Sequence, residues 1–264
     1  MLTIGKEKEV NVSLEGKLAM VTGASMPKGI GRYAALTLAK NGADVVVTGF
    51  QHMEGAISVV EEIKAMGRKS MAVRMDAGNY ADVAQGFATV KAELGPVNIL
   101  VNNAAQMGHH VSVAKTTITE WDNEVKLCLN SAFYCIKEVW ADMCAAKYGR
   151  IINITSVAGV MGGAGQTSYA AAKAGLIALA KSVALEGARF NITANSVLVG
   201  VSATDWHDRL PDKAREAIEN RTAFKRAADP QEIADAIAYV ASDNAAYMTG
   251  TIVNMMGGLD LFVF

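Results

Sequence analysis

Three side chains in the second half of the chain have the types and the spacing needed for acid–base chemistry. Tyr169 and Lys173 lie four residues apart in an alanine-rich run with high helix propensity, and Ser156 precedes the tyrosine by thirteen residues. Residues four apart share one face of a helix, so the ammonium can approach the phenol and lower its pKa from an ordinary value of about 10. The sequence predicts a proton-transfer site here, with Ser156 holding a substrate oxygen. A tyrosine at the core rim beside a solvated lysine is the alternative interpretation.

Apolar segments alternate with helical patterns along the whole chain. The predicted strands cover 17–22, 44–49, 70–76, 97–105, 150–156, 191–200 and 251–256, and the predicted helices cover 30–41, 53–66, 79–93, 118–146, 168–188 and 230–241. Such alternation is typical of a parallel sheet covered on both faces. The sequence therefore predicts an α/β fold, a doubly wound, Rossmann-type sheet of about seven strands. It forms one domain over 14–264, after an N-terminal extension at 1–13, with a substrate flap near 201–225.

Composition narrows the classes of function and the compartment. The chain has 264 residues, of which 51% are hydrophobic and 19% charged, and its net charge of −1 gives no reason to expect nucleic acid or a membrane as partner. We expect no apolar run as long as a membrane span, and the first residues lack an apolar signal core, which predicts a cytoplasmic protein. Cys128, Cys135 and Cys144 fall in one predicted helix without a Cys-x-x-Cys pair, which indicates reduced thiols and no metal site.

Residues suited to a dinucleotide lie where the predicted strands end. Thr22-Gly23 and Gly29-Ile30-Gly31 form a glycine-rich turn that lets the backbone approach a pyrophosphate, although glycines serving only the turn are an alternative. Asp76 ends the third strand, where its carboxylate can bind an adenine amino group or cap the next helix. The segment 102–105, Asn-Asn-Ala-Ala, ends the fourth strand with small residues where a cofactor needs space.

Taken together, these residues resemble the short-chain dehydrogenase/reductase family, in its single-domain subgroup. The resemblance covers residues 14 to 258 and rests on motifs in the expected order: Thr22-Gly23, Gly29-x-Gly31, Asp76, Asn102-Asn103-Ala104, Asn130, Ser156, Tyr169, Lys173, Asn195 and Gly200–Asp205. Within the family the chain is most similar to 3-oxoacyl-thioester reductases.

The resemblance implies an oxidoreductase that moves a hydride between a nicotinamide dinucleotide and a secondary alcohol or ketone, including a 3-hydroxyacyl or 3-oxoacyl thioester. It implies four catalytic residues: Tyr169 as proton donor or acceptor, Lys173 lowering the pKa of Tyr169, Ser156 orienting the substrate oxygen, and Asn130 fixing a water that completes a proton relay. The implied cofactor-binding residues are Gly23, Ser25, Lys28, Gly29, Ile30, Gly31, Asp76, Asn103, Ala104, Lys173 and Thr204. No metal is implied.

The cofactor end departs from the family pattern. Five residues, 24–28, separate Thr22-Gly23 from Gly29, where the family usually has three. The second strand ends in Thr48-Gly49-Phe50, without the acid typical of NAD enzymes or the arginine typical of NADP enzymes. Lys28 gives a slight preference for NADP over NAD. These departures keep open an inactive or weakly active subunit that pairs with an active homologue and, as a third possibility, a nucleotide-sensing protein.

The sequence also predicts an oligomer. Helix 168–188 carries small residues at Ala172, Gly175, Ala178 and Ala180, which would let another helix approach closely. The family resemblance implies that helices 118–146 and 168–188 pair across a two-fold axis, giving a homotetramer or a hetero-oligomer with a homologous subunit. The aromatic C-terminus, 259–264, is expected to dock on a neighbouring subunit, and His109-His110 to lie near the substrate or to be plain loop residues.

Overall fold

A computed structural model describes residues 12–106 and 111–261 of the chain. The strands are β1 Leu18–Val21, β2 Asp44–Gly49, β3 Ser70–Arg74, β4 Ile99–Asn102, β5 Gly149–Ser156, β6 Ile192–Val199 and β7 Ile252–Met255. They form one parallel sheet of seven strands in the order β3-β2-β1-β4-β5-β6-β7. Each strand overlaps a predicted segment, and the predicted doubly wound α/β fold is confirmed.

Helices cover both faces of this sheet. They are α1 Ile30–Lys40, α2 Met53–Ala65, α3 Tyr80–Glu93, α4 Ile118–Val125, α5 Ser131–Ala146, α6 Ala158–Met161, α7 Thr167–Gly187, α8 Asp205–Asp208, α9 Asp212–Glu219 and α10 Pro230–Ala241. The sequence predicted one continuous helix over 118–146. The structure divides this segment into α4, a π-helical turn at Lys126–Asn130, and α5.

The strand order reverses between β1 and β4, which places a crevice at their carboxyl ends. Val21, the last residue of β1, is in register with Val47 of β2 on one side and with Val101 of β4 on the other. The two halves of the chain leave this point in opposite directions, and ligands of doubly wound sheets bind in the resulting crevice. The glycine-rich turn follows β1 directly, so the topology positions it there.

Successive residues of the strands are buried against different layers of helices. Val45 and Val47 of β2 pack in the layer formed by α1, α2 and α10. Val46, between them, packs in the opposite layer with α3 and α5. Because both faces are covered, nearly every strand position is apolar, which explains why the strands show no alternation of polar and apolar residues.

Helix α7 packs its small residues inside its own domain. Ala172 and Ala180 are buried, and a Cβ added at Gly175 would lie 2.8 Å from Cδ2 of Leu129 in the π turn. These three positions are filled by the chain itself, so they do not carry the helix contact between subunits that the sequence predicted for them. Ala178 is exposed.

Among the described residues, one helical segment has the length and composition of a membrane span. It covers Thr167–Phe190, with a mean hydropathy of 1.2, and half of it is buried inside the domain. This differs from the expectation that no apolar run is long enough. A helix that packs on a fully covered sheet requires the same apolar composition, so core packing accounts for it.

Candidate active site

The structure brings Ser156, Tyr169 and Lys173 together at the carboxyl end of β5. Ser156 is the last residue of β5, and α7 carries the other two on one face. The hydroxyl groups of Ser156 and Tyr169 are hydrogen-bonded. The Lys173 ammonium donates to the carbonyl oxygen of Ile154 in β5 at 2.9 Å and lies 5.5 Å from the centre of the Tyr169 ring. A strand end and one helix turn thus fix the three predicted groups.

Burial dominates the protonation of this group. Tyr169 is 9% exposed and Lys173 is 3% exposed. Removal from water disfavours each charged form, so burial raises the pKa of Tyr169 above its ordinary value and lowers the pKa of Lys173. The hydrogen bond from Ser156 opposes the shift of Tyr169 only in part. Burial therefore shifts the pKa of Tyr169 in the direction opposite to the lowering expected from Lys173, and that effect of Lys173 stays a prediction.

A fourth side chain contacts this group, and it is Cys128. It lies in the π turn, is 1% exposed, and packs in one apolar cluster with Tyr169, Ala158 and Ala172. Its thiol donates to the carbonyl oxygen of Gln106 at 3.4 Å. Burial raises the pKa of the thiol, and the nearby Lys173 opposes this only partly. Cys128 is thus a neutral thiol that ties the π turn to the segment after β4.

Asn130 does not join this group. It follows Cys128 by two residues, and residues two apart on a helix do not share a face. Among the described residues, no hydrogen bond connects Asn130 with Ser156, Tyr169 or Lys173. Of the two residues, Cys128 is therefore the one that packs with Tyr169, and the water-mediated relay through Asn130 stays a prediction. A π turn holds one residue more than an α turn, and the helical pattern of the sequence gave no sign of it.

A cavity of about 240 Å³ lies between the segment after β4, α4 and the start of α7. Its lining comes from the segment after β4, from α4 and the π turn, and from the start of α7: Gln106, Val111, Thr116, Glu120, Asn123, Glu124, Leu127, Gly165, Thr167 and Ser168. Ser168 donates to the Glu124 carboxylate, which adds to the rise in the pKa of Tyr169. Leu127 and Ser168 directly precede Cys128 and Tyr169 in the chain, and Gln106 accepts from the Cys128 thiol, so the lining is linked to the Tyr169 group through neighbouring residues.

The glycine-rich turn is shaped to admit a dinucleotide. Gly23 has a φ of +66°, and a Cβ there would lie 2.8 Å from Cα of Ala104. A Cβ on Gly31 would lie 2.4 Å from the amide nitrogen of Asn103. Helix α1 begins after Gly29 with neither a side-chain cap nor an acidic residue in its first turn. Its first N–H groups are therefore available to an anion, and the residues present fit a pyrophosphate.

Asn103 holds the backbone of this turn, and Asp76 holds the backbone that follows β3. The Asn103 amide donates to the carbonyl oxygens of Thr22 and Gly23, at 2.9 Å each. Asp76 accepts from the Gly78 N–H at 2.9 Å, whereas Asn79 caps α3. The alternative interpretation of Asp76 as a helix cap is thus wrong, because Asn79 takes that role.

Lys28 points to the flap. Its backbone N–H donates to a carboxylate oxygen of Asp205 at 2.9 Å, and its ammonium lies 2.6 Å from a carboxylate oxygen of Asp208. Both acids belong to α8, which begins directly after Thr204. The ammonium is therefore paired with the flap in this structure, and the preference for NADP that the sequence assigned to Lys28 stays a prediction.

Comparison with known proteins finds the same family that the sequence resembles. A family model described as "Enoyl-(Acyl carrier protein) reductase" matches residues 23–260. The chain belongs to the short-chain dehydrogenase/reductase family. It is 40% identical over 248 residues to the 3-oxoacyl-[acyl-carrier-protein] reductase FabG of Escherichia coli K12, covering 94% of this chain and 99% of that protein. It is 37% identical over 243 residues to FabG of Staphylococcus epidermidis RP62A, covering 92% and 98%.

Solved structures of the family have the same fold. A putative gluconate dehydrogenase from Agrobacterium tumefaciens superposes with a TM-score of 0.91 at 28% identity, covering 97% of this chain and 100% of that chain. A putative short-chain alcohol dehydrogenase from Sinorhizobium meliloti 1021 gives 0.89 at 29% identity, covering 96% and 100%. The protein is an NAD(P)-dependent short-chain dehydrogenase/reductase.

Two predicted elements of this short-chain dehydrogenase/reductase lie outside the described residues. They are the His109-His110 pair and the last three residues of the aromatic C-terminus, 262–264.

Proposed function

We propose that this protein reduces the ketone of a 3-oxoacyl thioester, or of a related secondary ketone, to the alcohol, with Tyr169 as the proton donor. The observation that carries the proposal is the convergence of Ser156, at the end of β5, with Tyr169 and Lys173 of α7, whose ammonium lies 5.5 Å from the centre of the Tyr169 ring. The names of the FabG relatives support the choice of a 3-oxoacyl substrate.

Each side chain has a defined part in the reaction. A bound nicotinamide would supply the hydride for the carbonyl carbon. As negative charge develops on the carbonyl oxygen, the Ser156 hydroxyl stabilises it by a hydrogen bond. That oxygen takes the phenolic proton of Tyr169, so the tyrosine O–H bond breaks and the alcohol O–H bond forms. Because burial raises the pKa of Tyr169, the phenol is protonated at neutral pH, which favours the reductive direction.

Lys173 restores the proton of Tyr169. Burial lowers the pKa of Lys173, so its ammonium gives up a proton more readily than an exposed lysine does. The ammonium transfers a proton to the Tyr169 phenolate, breaking an N–H bond and forming the phenol O–H bond, and the amine then takes a proton from solvent. The hydrogen bond from Nζ to the Ile154 carbonyl holds the nitrogen in place for this transfer.

Cys128 has a positioning role in this proposal. Its contact with the Gln106 carbonyl joins the π turn to the segment after β4, and Gln106 lines the cavity between α4 and the start of α7. The thiol itself stays neutral and does not exchange protons, because burial raises its pKa.

A bound dinucleotide would occupy the crevice at the ends of β1 and β4. The N–H groups at the start of α1, between Gly29 and Gly31, would hold its diphosphate, and Gly23, Ser25 and Ala104 would border it. The remaining members of the proposed set are Ile30 at the start of α1, Asp76 for the adenine, and Lys173 and Thr204 for the nicotinamide ribose and carboxamide. Asn103 and Lys28 act on the shape of the loop.

We also propose that the protein works as a homotetramer in the cytoplasm. Phe133 on α5 is 51% exposed and Leu185 on α7 is 84% exposed. Large apolar side chains on two neighbouring helices are typical of a contact with another subunit. The alternative is a hetero-oligomer, in which this chain would be an inactive or weakly active subunit paired with an active homologue.

One experiment separates the active enzyme from the inactive subunit. The purified chain is titrated with NADH and with NADPH, read by fluorescence, and then assayed with a 3-oxoacyl thioester and several simple ketones. We expect binding of at least one dinucleotide and turnover of the thioester. Absence of binding to both would contradict the proposal. Binding without turnover of any substrate would assign the chain to the inactive or regulatory class.

A further inference from the structure

Arg74 and Phe50 form a pair at the carboxyl ends of two neighbouring strands. Gly49, the last residue of β2, is in register with Arg74, the last residue of β3. The Arg74 guanidinium carbon lies 4.8 Å from the centre of the Phe50 ring, a separation at which cation and ring attract each other. Phe50 is 40% exposed. The stacked guanidinium is thus held in a defined orientation at the surface.

The guanidinium has no acidic partner. Among the described residues no carboxylate forms an ion pair or a hydrogen bond with Arg74, whereas several other arginines pair with acids: Arg32, Arg68, Arg150, Arg215 and Arg226. Its five N–H donors therefore remain available to a ligand. An arginine held by stacking also loses less conformational entropy when it binds an anion.

The pair lies next to the glycine-rich turn. A Cβ added at Gly49 would lie 3.4 Å from Cβ of Ser25, and one added at Gly55, in the first turn of α2, would lie 1.9 Å from the Ser25 carbonyl oxygen. The end of β2 and the turn after β1 are therefore in direct contact. In folds of this type, an acid near this point binds the 2′-hydroxyl of NAD, and an arginine binds the 2′-phosphate of NADP.

The charges at this point favour an anion. Residues 49–52 are Gly-Phe-Gln-His and contain no acid. Glu54 lies beyond them with its side chain 81% exposed and its carboxylate 3.7 Å from the His52 ring. Lys28, a second basic residue of the cofactor end, is paired with Asp208 of the flap.

We infer that Arg74, stacked on Phe50, binds the 2′-phosphate of the dinucleotide, so that the protein selects NADP(H) over NAD(H). The planar guanidinium can form two parallel hydrogen bonds with the phosphate, which a lysine cannot do. This inference rests on the proposed function above, because it names the coenzyme of the same site.

Calorimetric titration tests it without any assay of activity. The ligands are NADPH and NADH, together with the fragments 2′,5′-ADP and 5′-ADP, which differ in the same phosphate group. We expect wild-type protein to bind the 2′-phosphorylated member of each pair more tightly. Arg74→Gln should weaken binding of NADPH and 2′,5′-ADP by about 10- to 100-fold, the usual range for a hydrogen bond to a charged group. Binding of NADH and 5′-ADP should change by less than about twofold.

Two further variants complete the test. Arg74→Lys keeps the positive charge but cannot form two parallel hydrogen bonds with the phosphate. Its affinity for NADPH and 2′,5′-ADP should therefore lie between that of wild type and that of Arg74→Gln. Arg189→Gln is the matched control, because Arg189 stacks on Phe190 at 4.6 Å at the other end of the sheet, and it should leave all four affinities unchanged.

The outcomes separate this inference from the proposed function. Equal affinity of wild type for NADH and NADPH would overturn the inference and leave the proposed function standing. So would an Arg74→Gln variant that loses affinity for both coenzymes equally. Failure of the wild-type protein to bind either coenzyme would contradict the proposed function itself.

Discussion

The catalytic end and the cofactor end of this site are held by different kinds of contact. At the catalytic end, Tyr169 and Lys173 are almost fully buried, and Lys173 is bonded to the backbone of its own sheet. At the cofactor end, the middle of the glycine-rich turn is held by Lys28 and Asp208, whose side chains are 56% and 40% exposed. The first arrangement is part of the core, and the second is a surface ion pair between distant segments.

This difference indicates which half depends on ligand. A buried hydrogen-bonded group is costly to rearrange, because each polar atom removed from its partner loses its hydrogen bond without gaining water. An exposed ion pair contributes about 0–1 kcal/mol and is screened by salt. We therefore expect the catalytic end to be preformed and the cofactor end to adjust, with the anionic diphosphate competing against Asp205 and Asp208 for the turn.

The largest effect is expected at the catalytic end. Tyr169→Phe removes the proton donor and keeps the ring that packs with Cys128, so turnover should fall by about 10²- to 10⁴-fold, the usual contribution of a general acid. Dinucleotide affinity, measured by fluorescence titration, should stay the same. Normal turnover by this variant would show that the proton comes from another group. A parallel loss of dinucleotide affinity would show that the two ends are not independent.

A smaller effect at the same end distinguishes Cys128 from Asn130. Cys128→Ala removes the contact with Gln106 and loosens the cavity wall, and we expect kcat to fall by about 10- to 100-fold, since small displacements of positioned groups have effects of that size. Cys128→Ser keeps a donor and should recover much of the rate. Asn130→Ala is the matched control and should leave kcat within about twofold.

The measurement for this pair is kcat as a function of pH, together with the thermal midpoint of each variant. A lower thermal midpoint with an unchanged kcat in Cys128→Ala would show that the thiol contributes only to packing. A larger loss of kcat in Asn130→Ala than in Cys128→Ala would restore the relay role first implied for Asn130.

The sequence predicts the elements well because apolar strands and helical periodicity are local properties. It also predicts that Ser156, Tyr169 and Lys173 converge, because one strand end and one helix turn determine their positions. It does not predict the contact of Lys28 with Asp205, which joins residues 177 positions apart. Nor does it predict the raised pKa of Tyr169, because that shift comes from burial, which depends on packing around the whole group.

The smallest effect is expected at the flap contact, and it tests the cofactor end directly. Asp208→Asn removes the charge that holds the Lys28 ammonium, so the turn is released and both NADH and NADPH should bind up to about fivefold more tightly, an effect of the size expected for a solvent-exposed ion pair. This gain in coenzyme affinity should be smaller at high salt, because salt already weakens the Lys28–Asp208 ion pair of the wild-type protein. Asp212→Asn is the matched control, because Asp212 is 91% exposed and pairs with Arg215 in the neighbouring helix α9. Unchanged or weaker coenzyme binding by Asp208→Asn would mean that the flap contact supports the bound state, and the two ends of the site would then be preformed alike.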